Sequence, residues 1–307
     1  MKIVFFGSDA VSVPALLRFI EKGIEVAAVV TNPDAPSGRG KRLKPTEPKR
    51  IGRGLGIEVL QPERLRKNLW LREKLKEYNA DLFAVLAYGK IIPPSIFNIP
   101  SKGAINLHFS LLPALRGAAP VRWAILKGIR KTGATVFLID KGMDTGPILS
   151  QIPLEIYDHE NYGEAMNRIA QETADFFVDT AIRWAEGKID PIPQEGEPSY
   201  APKIDKVQAA LSFEEPAEHL WRKIRAFNPD LKPWFPFRGG RLIVLRAGWR
   251  HGEGKAGEII GKEGEKLLVG TGRGIIELHS VQLPGKKPVS GIAFANGARL
   301  KPGDYIY

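Results

Sequence analysis

The sequence predicts an α/β chain: a doubly wound, mostly parallel sheet, then a second, smaller β-barrel domain. Three observations carry that prediction. Strand-like apolar runs alternate with helical periods over residues 1–187, the order that builds βαβ units. Pro191, Pro193, Pro198 and Pro202 then crowd the stretch 188–205, a composition suited to a linker. From about Lys206, short apolar runs are separated by Gly turns, the texture of a small barrel. With 307 residues the chain is long enough to bury two cores.

Lys2–Phe6 is an apolar strand that Gly7 closes. Pro14–Glu21 is a helix stopped at Gly23, and Glu25–Val30 is the second strand. Gly7-Ser-Asp-Ala lacks the G-x-G-x-x-G spacing, which argues against a dinucleotide site. Residues 31–53 break the pattern. They hold seven Lys or Arg against two acids, with Pro and Gly throughout, and read as a long irregular loop. Cations and close backbone approach suit phosphate, so this loop is expected to contact RNA.

Glu58–Leu60 is a short strand and Leu65–Tyr78 an amphipathic helix. Asp81–Ala87 is apolar without alternation, as in a central strand covered on both faces. Ala104–Leu107 is the next strand, Val121–Leu126 a helix and Thr132–Asp140 a β-branched strand. Ile148–Ile156 is a further strand, and Glu160–Glu186 reads as one long helix. Beyond the linker, Pro216–Ala226 is a helix. Arg241–Leu245, Gly257–Ile260, Lys266–Val269 and Gly274–Leu278 are the barrel strands. Arg238, Arg241, Arg246, Lys286 and Lys287 are candidate nucleic-acid contacts there.

The chemistry is expected at the end of the strand before the turn Ser110-Leu-Leu-Pro113. Asn106 and His108 stand two residues apart, so both face one side of the strand. In an open parallel sheet, ligands bind beyond the carboxyl ends of the strands. No Cys is present and no Ser sits in a G-x-S-x-G elbow, which argues against nucleophilic catalysis here. A carboxamide, an imidazole and a carboxylate suit instead the attack of an external amine on an acyl carbon. Asn106 would donate to the oxyanion, and His108 would add a donor or move a proton. Asp144, in the Gly-bracketed loop Asp140–Gly146, would hold His108. Taken alone, His108 reads as a core histidine and Asp144 as a turn-former; the Asn two residues before His108 and the Ser-Leu-Leu-Pro after it tilt the balance for His108. Tyr88 and Gly89 end the central strand at the same edge and can frame a flat heterocycle; Tyr88 can equally belong to the core.

Asn106-Leu-His108-x-Ser110-Leu-Leu-Pro113, followed by Gly142-Met-Asp144-Thr-Gly146, resembles the formyltransferase family that uses 10-formyltetrahydrofolate. The likeness runs over essentially the whole chain, with several motifs in order and spacing. Three more segments are similar to the branch acting on methionyl-tRNA: Asn32–Arg42, Arg116–Pro120 and Arg225–Pro229. Phe109 and the pair Ala114-Leu115 depart from the family's usual residues at the pocket rim. The resemblance implies a Rossmann-like catalytic domain over 1–187, a linker over 188–205 and an OB-like barrel over 206–307. It implies catalysis by Asn106, His108 and Asp144, with Ser110, Leu111, Leu112, Pro113 and Asp140 on the folate donor. It places Arg39, Lys41 and Arg42 on the acceptor stem of initiator methionyl-tRNA.

A net charge of +11 agrees with an anionic partner. No apolar run approaches a membrane span, and Met1–Gly7 reads as a strand feeding a turn, not a signal peptide. The absence of Cys excludes disulfides and thiolate metal sites and fits a cytoplasmic protein. His108 lacks companion ligands at a recognisable spacing, so no metal is expected. A monomer is expected. Two rival readings are a formyltransferase for a small amine, such as a nucleotide-linked amino sugar, and a non-catalytic RNA-binding protein. The basic segment 31–53 argues against the first, and the intact triad against the second.

Overall fold

The computed structural model describes residues 1–37 and 42–307. They form two compact units. One comprises Met1–Pro120, Lys131–Glu155 and Met166–Pro202; the other comprises Val121–Arg130, Ile156–Ala165 and Lys203–Tyr307.

In chain order the elements up to residue 187 are β1 (Lys2–Gly7), α1 (Val13–Glu21), β2 (Glu25–Val30), β3 (Ala35–Ser37), β4 (Arg42–Lys44), α2 (Glu47–Gly54), β5 (Glu58–Leu60) and α3 (Leu69–Glu77). There follow β6 (Leu82–Leu86), α4 (Pro94–Phe97), β7 (Ala104–His108), α5 (Pro120–Lys127), β8 (Lys131–Leu138), β9 (Ile148–Glu155), α6 (Tyr162–Glu172) and α7 (Ala174–Ala185). The main sheet runs β5-β2-β1-β6-β7-β8-β9. Its first five strands are parallel, and β8 and β9 are antiparallel additions. The carboxyl ends of β5, β2, β1, β6 and β7 therefore share one edge. Alternate residues of β1 serve the two covered faces. Phe5 meets Phe19, which meets Phe177, with ring centroids 6.3 and 5.6 Å apart. Phe6 meets Phe83 at 5.3 Å on the opposite face. Each such ring contributes about 1.5–3 kcal/mol by burial.

Four elements differ from the sequence expectation. The segment 31–53 is not irregular throughout. β3 and β4 form a short hairpin, and α2 follows, with the Thr46 hydroxyl accepting from Lys49 N–H at 3.3 Å. Lys49 is buried and its ammonium lies 2.7 Å from Asp34, so this cation is taken by the fold. α3 begins at Leu69 rather than Leu65 because Asn68 caps it, accepting from Leu71 N–H at 3.0 Å. The expected long helix is two, α6 and α7. At the break the Thr173 hydroxyl donates to Ile169 C=O at 2.7 Å, a bond that bends helices. The Pro-rich stretch is not free chain either: Ile192 pairs with Ile148, and Tyr200 with Arg116.

The second unit continues with α8 (Ala217–Phe227), β10 (Trp234–Phe237), β11 (Gly240–Arg250), β12 (Ile259–Glu263), β13 (Lys266–Gly270), β14 (Ile275–Gln282), β15 (Val289–Ser290) and α9 (Gly291–Gly297). Its antiparallel, barrel-like sheet runs β10-β11-β14-β13-β12, with β15 on β14. Leu220 and Ile224 of α8 pack with Phe235, Leu242, Val244 and Leu278 in its core. The Arg225–Pro229 segment is structural. Arg225 donates to Glu160 and Tyr157 C=O at 2.7 and 2.5 Å, and its guanidinium lies 4.5 Å from the Trp221 ring. Asn228 donates to Ile224 and Val244 C=O, each at 2.9 Å. Of the basic candidates here, Arg246 pairs with Glu164 and Arg241 lies 4.3 Å over Trp234. Arg238 donates to Ala298 C=O at 2.9 Å, while Lys286 and Lys287 are exposed.

Candidate active site

β7 delivers Asn106 and His108 to the carboxyl edge of the sheet. They alternate with Ile105 and Leu107, which are buried, so the two polar side chains share the remaining face. The Asn106 amide is half-buried and makes no hydrogen bond among the described residues. His108 is buried, and its Nε2 lies 3.0 Å from Leu115 C=O. A carbonyl oxygen only accepts, so Nε2 carries the proton in this contact. In neutral His108, Nδ1 is then a lone pair. It faces Asp144 Oδ2 at 3.6 Å, too long for a direct hydrogen bond. Two acceptors facing each other across this gap are best satisfied by a proton. The pair is therefore built to receive one from outside.

Burial pushes the His108 imidazole below its ordinary pKa, against the opposing pull of the Asp144 charge and the Leu115 bond. The free ring is thus neutral near pH 7, as a base must be. Both partners are held in strained backbone: Leu115 at φ +58° and Asp144 at φ +54°. Non-glycine residues in this left-handed region cost about 1–3 kcal/mol, which the surroundings must impose.

Those surroundings are specific. Asp144 Oδ2 accepts from Gly117 N–H at 2.8 Å. A Cβ on Gly117 would lie 2.8 Å from Ala201 C=O, so only glycine brings this amide in. The segment 194–201, which sequence reasoning passed over as linker, straps both loops. Ser199 Oγ accepts from Leu115 N–H at 2.9 Å, and its carbonyl accepts from Arg116 N–H at 2.8 Å. The Gln194 amide donates to Asp144 and Gly146 C=O at 2.9 and 2.8 Å. Its oxygen accepts from Arg116 Nη2 at 2.6 Å and Nε at 3.1 Å. A single Gln in a Pro-rich run gives no local signal of this. Gln194→Ala is expected to lower kcat by about 10–100-fold with little change in KM, because small misplacements of a reacting group are costly. Gln194→Glu keeps the shape and the Arg116 contact but cannot donate, and should lose as much. Steady-state kinetics check this; unchanged turnover in both variants would exonerate the strap.

A formyl transferase family model matches residues 1–181, and its C-terminal domain model matches residues 203–299. The chain belongs to the formyl transferase family. Methionyl-tRNA formyltransferase from Synechococcus sp. (strain JA-3-3Ab) is 38% identical, over 99% of this chain and 97% of that one. Among solved structures, methionyl-tRNA formyltransferase from Clostridium thermocellum superposes with a TM-score of 0.59 at 20% identity, covering 82% of this chain and 95% of that one. HypX from Aquifex aeolicus, in complex with tetrahydrofolic acid, gives 0.67 at 16% identity and covers 100% of this chain. This chain spans only about half of HypX, 50% of its length. These superpositions carry the fold: the Rossmann-like sheet and barrel-like C-terminal domain of formyl transferases.

The other predicted residues of this formyl transferase fall into four groups. The polar groups of the Ser110–Pro113 turn are engaged inside it. The Thr135 hydroxyl donates to Ser110 C=O at 2.6 Å and accepts from Leu112 N–H at 3.1 Å, while Ser110 Oγ donates to Ala114 C=O at 2.5 Å. Leu112–Pro113 is a cis peptide. The turn thus carries Leu115 C=O to His108, and Leu111 is its half-buried apolar face. Asp140 orders the second loop: its Oδ1 accepts from Gly142 N–H at 2.9 Å and Thr145 Oγ at 2.7 Å. The ring of Tyr88 belongs to the core, edge-on to Phe6 at 5.5 Å and only 2% exposed. It is not the wall of an open cleft. Gly89 follows it at φ +77°, where among the described residues an added Cβ would come no nearer than 3.9 Å, to Asn32 Nδ2. Arg39 and Lys41 lie outside the described residues, and Arg42 begins β4. Among the described residues no cluster of three metal-ligating groups occurs, and no helix is long and apolar enough to cross a membrane.

Proposed function

We propose that this chain transfers the formyl group of 10-formyltetrahydrofolate to the α-amino group of initiator methionyl-tRNA, giving N-formylmethionyl-tRNA for translation initiation. The observation that carries the reading is the Asn106 amide, without a hydrogen bond among the described residues, on the strand that also carries His108, whose Nδ1 lies 3.6 Å from Asp144, in a chain alike over 99% of its length with relatives of that name. A small-amine substrate is not favoured by those full-length relatives.

Asn106 Nδ2 donates to the oxyanion that forms as the amine adds to the formyl carbon. A free α-amine titrates near 7.7–8.0 and an esterified carboxyl lowers this, so neutral nucleophile is present at pH 7. His108 Nδ1 takes the proton the amine sheds, and Asp144 stabilises the imidazolium while Leu115 C=O keeps the other N–H in place. Return of that proton to the departing folate nitrogen completes the transfer.

Donor contacts are assigned to Gly89, the backbone of Tyr88, Ser110–Pro113 and the Asp140–Asp144 loop. Ile91 and Met143, 83% and 61% exposed, supply apolar surface on two of these loops for a flat heterocycle. No metal takes part in this scheme. Residues 1–187 carry catalysis, 188–205 join the domains and through Gln194 and Ser199 also brace the catalytic loops, and 206–307 bind tRNA. The protein works in the cytoplasm as a monomer. Arg39, Lys41 and Arg42 contact the acceptor stem. Arg42→Ala is expected to raise KM for tRNA several-fold and leave the donor KM unchanged, and initial rates against each substrate will tell. The deciding assay is formylation of methionyl-tRNA with and without the folate donor. Donor-dependent product supports the reading, and its absence removes it.

A further inference from the structure

β5 ends at Leu60, and the loop after it opens on the same edge as His108 and the basic segment after β2. The two loops are tied together. The Gln61 amide donates to Asn32 C=O and Asp34 Oδ1, both at 2.8 Å, and Lys90 Nζ clamps Pro62 and Glu63 C=O at 2.9 Å each. The Asn68 amide reaches back to Arg64 C=O at 3.0 Å and closes the loop on itself. On this anchored loop Arg64, Arg66 and Lys67 are exposed, and among the described residues none of their side chains has a hydrogen-bond or ion-pair partner. Further along α3 the pattern is different: Lys74 lies 3.4 Å from Glu58, and Lys76 2.9 Å from Glu73. Beside the free cations, Trp70 is 62% exposed and Leu69 71% exposed, on the turn of α3 nearest the loop. Leu71 and Leu75 already fill that helix's apolar face, so Trp70 is surplus to the core.

The geometry points to Arg64, Arg66, Lys67 and Trp70 as a contact surface for the unpaired end of the RNA substrate, cations on phosphates and the indole stacked on a base. This rests on the reading that the substrate is an aminoacyl-tRNA. Free cations beside an exposed aromatic are the combination that holds single strands. β5 and β7 are four strand spacings apart, about 19 Å, which an extended run of a few nucleotides can cross to reach Asn106 and His108. A solvated charged face is the plain alternative, and salt dependence separates the two.

The test uses the full chain, with Arg64→Gln/Arg66→Gln/Lys67→Gln as one variant and Trp70→Ala and Trp70→Phe as two more. For each, kcat/KM with methionyl-tRNA is measured over a range of KCl concentrations. The triple variant should flatten the log–log salt slope by about 2, from roughly 0.7 per phosphate contact on a single strand. Trp70→Ala should raise KM for tRNA roughly 10–100-fold, and Trp70→Phe should recover most of it. Donor KM and kcat at saturating tRNA should hold. Direct binding of a short single-stranded RNA and of a matched duplex completes the test: the triple variant and Trp70→Ala should lose affinity for the single strand. Unchanged slope, KM and oligonucleotide affinity would overturn the proposal, as would loss confined to the duplex. If the wild type makes no formylmethionyl-tRNA, the functional reading falls instead, and the oligonucleotide measurement still judges this surface.

Discussion

Asn106→Ala is expected to lower kcat by about 10²–10³, the cost of removing one preorganised oxyanion donor. The amide is free of internal hydrogen bonds among the described residues, so its loss frees no partner to rearrange. It is half-buried on a strand whose neighbours Ile105 and Leu107 are packed, so the backbone should stay in register. The effect therefore belongs to turnover: KM for donor and for tRNA should move little, and thermal stability less. Asn106→Asp, nearly the same shape, should be at least as damaging, since it sets a negative charge where negative charge develops. Steady-state kinetics and melting curves on the two variants decide the point. Near-wild-type kcat in Asn106→Ala would take this residue out of the mechanism.

Asp144→Asn is expected to lower kcat by about 10²–10⁴, the range that positioned proton transfer supplies, and to shift the pH profile in a defined direction. The substituted oxygen can still accept from Gly117 N–H, so the loop should keep its place. The new NH₂ would then face His108 Nδ1 and occupy its lone pair. Electrostatics act the same way. Burial lowers the His108 pKa and the Asp144 charge raises it, so removing the charge leaves burial unopposed. The base form of His108 exists above its pKa, so the acid limb of kcat/KM should lie below 6.5 in the wild type and lower still in Asp144→Asn. pH–rate profiles of both proteins measure this. A limb that rises, or stays put, would place the titrating base elsewhere.

The secondary structure of the catalytic unit was legible because buried strands such as Asp81–Ala87 and Glu25–Val30 are continuous apolar runs with few alternatives. The pairing of Asn106 with His108 was legible from a spacing of two. The failures share another cause. Thr46 caps a helix where none was expected, Asn68 shifts a helix start and Thr173 marks a split, each through one side-chain bond that hydrophobic periodicity does not register. Tyr88 could belong to core or cleft on sequence grounds; its contact with Phe6 settles the ring's place.

By itself, the sequence determined the fold class, the sheet edge where chemistry is possible and the residue types present there, because burial patterns and strand parity are local properties. Only the tertiary structure decided that Asp144 meets His108, that Leu115 C=O selects the imidazole tautomer, and that Gln194 and Ser199 of an apparent linker hold both loops. Leu115 and His108 are seven positions apart, and the other contacts join residues tens of positions apart. Their geometry depends on strained backbone and on glycine-sized clearances, which exist only once the chain has closed on itself.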